Sequence, residues 1–110
     1  MPWKQVTIEH SFEPDSLVAL LQEGARGSVS RYTHFDIVDW ASRYAAELKR
    51  HQPLEGDTLK LWRVADDITV RWELHMAGTY SINEMKRFSQ VDILLPKQYF
   101  ETWLNELDSL

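Results

Sequence analysis

The stretch Ile68-Thr69-Val70-Arg71-Trp72-Glu73-Leu74-His75-Met76 decides how this chain reads. Ile68, Val70, Trp72, Leu74 and Met76 fall on one side of a two-residue period and Thr69, Arg71, Glu73 and His75 on the other, the pattern of a half-buried strand. Parallel strands are usually covered on both faces and read as continuous apolar runs. Strict alternation therefore predicts an antiparallel sheet with one face on a core and one polar face open to a partner.

Working backwards, Asp66-Asp67 as a two-residue hairpin loop would set Leu59 opposite Leu74, Leu61 opposite Trp72 and Ala65 opposite Ile68 on the inner face. The outer face would then pair Lys60 with Glu73, Trp62 with Arg71 and Val64 with Thr69. The ion pair and the cation-π pair in that register are each worth ~0.2 to 1 kcal/mol. Asp-Asp is a poorer turn than Asn-Gly and Arg63 falls on the inner face, so a longer loop stays open as an alternative.

Outside this region, Val6 and Ile8 alternate with Gln5, Thr7 and Glu9, which predicts a first strand over residues 3 to 10. Pro14 suits a first helical position, and Leu17, Val18, Leu20 and Leu21 give an apolar stripe, so a short helix is expected over 14–23, stopped at Gly24. Residues 24–31 have no period and two glycines and read as a loop. Thr33 and Asp36 resemble a capping box, and Ile37, Val38, Ala41, Tyr44, Ala45 and Leu48 repeat at helical spacing, which predicts a helix from His34 to Arg50. Pro53 and Gly56 close this helical half. After a bulge or turn at Gly78, Val91, Ile93 and Leu95 read as another strand. Pro96 then opens a terminal helix with Tyr99, Phe100, Trp103, Leu104 and Leu107 on one face. The expected order is β-α-α-β-β-β-α: a single α+β domain with an antiparallel sheet of three to four strands and about three helices packed on one face.

The chain of 110 residues contains no cysteine, which removes disulfide frameworks, thiolate zinc sites, iron-sulfur clusters and cysteine nucleophiles, and fits a reducing, cytoplasmic location. No apolar run follows Met1-Pro2-Trp3-Lys4-Gln5 as a signal peptide would require, and no segment reaches the ~20 apolar residues of a membrane span. The 12 basic residues are outnumbered by 17 acidic ones, a formal charge of -5, so direct nucleic-acid binding is not expected. Five tryptophans are a large share for this length, and such residues serve both cores and binding hot spots.

The candidates for chemistry are sparse. Glu73 and His75, two apart on a strand, could share a proton or two coordination positions, but zinc needs at least one further ligand. His34 beside Asp36 and His51 close to Glu55 lack a third partner at a diagnostic spacing, and helix capping or dipole roles account for them. Gly24, Gly27, Ser28 and Ser30 with Arg26 and Arg31 suggest an anion-binding loop, yet the spacing matches neither a Walker loop nor a dinucleotide fingerprint. No serine stands in a nucleophile-elbow pattern. No catalytic residue, metal ligand or cofactor is assigned.

The resulting expectation is a small, acidic, non-enzymatic protein-binding module of the inhibitor, adaptor, antitoxin-like or immunity type, which covers a site on a partner protein bearing a basic surface. On the expected sheet face, Trp62 and Arg71 form an anchor and Lys60, Glu73 and His75 a polar rim, while Glu101, Glu106 and Asp108 supply electrostatic steering. One alternative is a small-molecule-binding domain or small enzyme with an aromatic pocket lined by Trp72, Tyr44 and Trp103. Another is a homodimeric regulatory or structural subunit.

Overall fold

In the computed structural model, which describes residues 8–50, 54–87 and 93–108, no described residue lies in a strand. The elements in chain order are α1 (Pro14–Gly24), a 3-10 turn (Gly27–Val29), α2 (His34–Arg50), α3 (Gly56–Thr79), α4 (Ile82–Arg87) and α5 (Lys97–Asp108). The expected α+β fold and its antiparallel sheet are overturned: the whole of the expected hairpin is the single helix α3.

The reason lies in the numbers two and four. Ile68, Trp72 and Met76 are four apart, so the alternating set contains one complete helical stripe, and with Leu61, Val64 and Ala65 it forms the buried face of α3. Val70 and Leu74, which the strand reading also placed inward, point out and are 41% and 61% exposed. Asp66-Asp67 lies in mid-helix. Neither glycine nor proline interrupts 57–77, so nothing in that stretch forces a turn. At 1.5 Å per residue, 24 residues give a rod of roughly 36 Å, which accounts for most of the protein's 41 Å long dimension.

α2 lies along α3 in the most extensive helix contact, α1 lies on α5, and smaller contacts of α1 with α2 and of α3 with α5 close a ring of four helices. One core fills it, built on Leu17, Leu20 and Leu21 of α1, Ile37, Trp40, Ala41 and Tyr44 of α2, the α3 stripe, and Phe100, Trp103 and Leu107 of α5. The helical readings of 14–23 and 34–50 agree with α1 and α2, and the apolar face read for the terminal helix is the face α5 buries. Thr33 caps α2, its Oγ1 accepting the Asp36 N–H at 3.1 Å.

The expected strand at 3–10 falls partly outside the described residues. Residues 8–10 are irregular and run across α2, where the Trp40 indole donates to the His10 carbonyl at 3.2 Å and Arg43 donates to the Ile8 carbonyl at 3.3 Å. Of the strand read over 91–95, Val91 is outside the described residues and 93–96 are irregular. Where a bulge was expected after Gly78, Ser81 and Glu84 make a reciprocal capping box for α4: the Glu84 N–H donates to Ser81 Oγ at 3.1 Å and the Ser81 N–H to Glu84 Oε1 at 3.0 Å.

His34 holds three chain segments together. It is 1% exposed, and its two ring nitrogens go to backbone rather than to Asp36: Nε2 lies 2.8 Å from the Gly24 carbonyl at the end of α1, and Nδ1 lies 2.8 Å from the Leu95 amide nitrogen. An amide N–H can only donate and a carbonyl can only accept, so the ring is neutral with its proton on Nε2. The Phe100 ring packs on the imidazole with centroids 4.6 Å apart.

Gly24 is required here for space rather than for backbone freedom: a Cβ at this position would sit 2.2 Å from Phe100 Cε1. Phe100 cannot retreat easily, being wedged between His34 and an edge-on Trp103 ring at 5.4 Å. Gly24→Ala is therefore expected to lower unfolding free energy by about 1–3 kcal/mol through overpacking, read from urea melts. A variant as stable as the parent would show that α1 and α5 can separate freely.

Candidate functional site

Along the seam between α3 and α5 runs an open groove. One part, about 280 Å³, is lined by Asp67 and Arg71 of α3 and by Gln98, Tyr99, Thr102, Trp103 and Glu106 of α5. A second part continues along α3 past Lys60, Arg63 and Val64, and the two share Asp67, Arg71 and Glu106. Lys60, Val64, Asp67 and Arg71 are three or four residues apart, so one side of α3 supplies them all.

Asp67 organises this groove. Its Oδ2 accepts the Trp103 indole N–H at 2.9 Å and lies 3.6 Å from Arg71 Nε. A single carboxylate thus ties the floor of the groove, the 1% exposed Trp103, to its rim. Tyr99, half-buried, meets Trp103 at 6.1 Å and His75 at 6.2 Å, both edge to face, and His75 also meets Tyr80 at 6.2 Å. Along the groove lie Lys60 and Arg63, then Asp67 bonded to Trp103, then Arg71 and Tyr99, with His75 packed against Tyr99.

The residues expected to form a binding face are therefore divided. Lys60, Arg71 and His75 share the α5 side of α3, and Glu106 of α5 joins them. Trp62 does not: nine residues from Arg71, it is half a helical turn out of phase, packed on the core with the Lys49 ammonium 5.9 Å from its ring centroid. The expected Trp62–Arg71 and Lys60–Glu73 pairs depended on the sheet and are not formed; Arg71 pairs with Asp67 instead, and Glu73 is exposed on α3. Glu101 is exposed on α5, and Asp108 borders a separate cleft with Val18, Gln22 and Leu104. Tyr99 and Asp67 were missed as site residues. By period alone Tyr99 falls on an apolar face and Asp67 in a turn.

Two further candidates resolve differently. In the 24–31 loop, the Glu23 carboxylate accepts the Arg31 N–H and a hydrogen bond from Arg26 at 3.2 Å, so the chain's own anion occupies two of the donors proposed for a ligand. The Arg31 N–H above all, with Arg26, holds the Glu23 carboxyl below its ordinary range. Trp72 and Tyr44, proposed as pocket walls, are buried in the core, and of that trio Trp103 borders the groove. Among the described residues no three His, Cys, Asp or Glu side chains are grouped to hold a metal ion, and no helix is long and apolar enough to cross a membrane.

No known protein family, curated protein or solved structure matches the chain.

The two bonds of Asp67 separate structural from surface roles. Asp67→Ala strands the part-buried indole N–H and is expected to cost about 1–3 kcal/mol, whereas Arg71→Ala removes an exposed ion pair and should cost less than about 1 kcal/mol. Chemical denaturation of both variants checks this order; equal costs would mean that Asp67 does not anchor Trp103.

Proposed function

We propose that the chain is a small protein-binding module, of the inhibitor, adaptor, antitoxin-like or immunity kind, that engages its partner through the α3–α5 groove. The observation that carries this reading is the groove's construction: Tyr99 and Arg71, residue types enriched in binding hot spots, stand together on a floor fixed by the Asp67–Trp103 bond. The walls at Arg63, Arg71, Gln98, Thr102 and Glu106 are exposed. Pockets for small ligands bury most of the ligand surface, so an open groove suits a segment of a protein better than a metabolite.

With a formal charge of -5 the module favours a partner bearing a basic surface, and Glu101, Glu106 and Asp108 place negative charge along the helix that forms one wall. Such charges act on the association rate more than on final affinity. A cysteine-free chain suits the reducing cytoplasm, where we place it.

The test is affinity capture from nuclease-treated source lysate with the parent chain, a Tyr99→Ala/Arg71→Ala variant and a Trp62→Ala variant. One stoichiometric protein should be held by the parent and by Trp62→Ala, and its affinity should fall at least about tenfold, ~1.4 kcal/mol, in the groove variant. Retention by the groove variant with loss from Trp62→Ala would move the binding face to the α2–α3 side, and an empty eluate would reject the module reading.

A second reading, a homodimeric subunit, is favoured by one observation: Val70 and Leu74, one turn apart, are both exposed on the outer side of α3. Light scattering over a concentration series should then show a mass that doubles in the parent and not in Leu74→Asp; a constant monomer mass rejects it.

A further inference from the structure

His34 is buried, yet it bonds the three segments that meet at the start of α5, and one of those bonds exists only while the ring is neutral. Nδ1 accepts the Leu95 N–H at 2.8 Å. A proton placed on Nδ1 would face that N–H donor to donor, and an uncompensated charge would be buried. The bond from Nε2 to the Gly24 carbonyl survives protonation, so α1 and α2 stay joined while the lead-in to α5 loses its hold. Two residues after Leu95 begins α5, one wall of the groove.

We propose that His34 is an acid-released latch on α5: protonation at Nδ1 breaks the bond to Leu95, frees residues 93–96 and loosens the Phe100 seat, so that the α5 wall of the groove gives way. The consequence for partner binding rests on the groove reading above; the latch rests on the His34 geometry alone.

The surroundings leave this titration to burial and backbone. The groups against the ring are the Gly24 carbonyl of α1, the Leu95 N–H and the Phe100 ring of α5. The nearest charged residues along those elements are Glu23, engaged by Arg26 and the Arg31 N–H, Asp36 within α2, and Lys97, exposed at the start of α5. Burial holds the imidazole below its ordinary range, partly offset by the Gly24 carbonyl, and no charged side chain contributes. The sign follows. The released form binds the proton more readily than the latched form, so the latch is fully closed above the ordinary histidine range near pH 6.5 and opens as pH falls towards the lowered value. The α2–α3 pair, the largest helix contact, does not include this bond and is expected to remain.

The experiment is amide hydrogen exchange by NMR on the native chain, from about pH 7.5 down to about pH 5, across the ordinary histidine range. One linked proton makes the opening equilibrium rise about tenfold per pH unit below ~6.5, so the protection factors of the Leu95 amide and the Trp103 indole should fall by that ratio. Those of Ala41 and Ile68 should hold. His34→Gln, which takes up no proton in this range, should abolish the slope, and a variant with His10, His51 and His75 all changed to Gln should keep it. A pH-independent Leu95 amide, or loss of protection at Leu95 in step with Ala41 and Ile68, would overturn the latch. Because no partner takes part, failure of the lysate capture leaves this result standing, and failure here leaves the groove standing.

Discussion

The neutral imidazole of His34 is the joint on which the rest of the arrangement depends. A helix ends with carbonyls that lack partners and an irregular segment carries amides that lack them, and here a single buried side chain satisfies one of each. It does so from the first turn of α2, which fixes where α1 stops and where the chain turns into α5. The Phe100 ring packs on the same imidazole and fills the space that Gly24 leaves by having no side chain. Ring, glycine and histidine are thus one unit: enlarging the glycine displaces Phe100, and displacing Phe100 uncovers the histidine.

From that joint α5 is laid along α3, and the seam between them gains its polar character from Asp67. A carboxylate at a helix–helix seam would ordinarily be a weak point, since burial without partners is costly. Here it is half exposed and used twice, on the Trp103 indole and on Arg71. The buried part of the seam is aromatic while its rim is charged. Tyr99 sits at the boundary between the two, half-buried and edge-on to the Trp103 floor of the groove.

α3 is where the period in the sequence and the observed element part. Residues spaced by four satisfy a period of two as well as a period near 3.6, and Ile68, Trp72 and Met76 satisfy both. The two apolar residues that made the alternation complete, Val70 and Leu74, are the ones left in solvent. Punctuation leans toward the helix without deciding it: there is no glycine or proline from Asp57 to Ala77, and the central Asp-Asp makes a poor hairpin turn. The Ser81–Glu84 capping box starts a helix where the sequence is read as a bulge or turn, although Ser-x-x-Glu is the pattern of such a start.

By itself, the sequence determined α1, α2 and α5, because their apolar residues recur at one unambiguous period with a proline or capping residue at the start. It also determined the acidic charge and the lack of thiol chemistry, which are sums over residues and need no fold. Only the tertiary structure decided that 56–79 is one helix, since the choice between periods rests on which face finds a partner, and α2 supplies that partner along its length. Only it separated Trp62 from Arg71, joined Asp67 to Trp103 across 36 positions and brought His34 to Leu95 across 61. Contacts between residues so distant along the chain leave no periodic trace in it, because they are set by how whole helices pack.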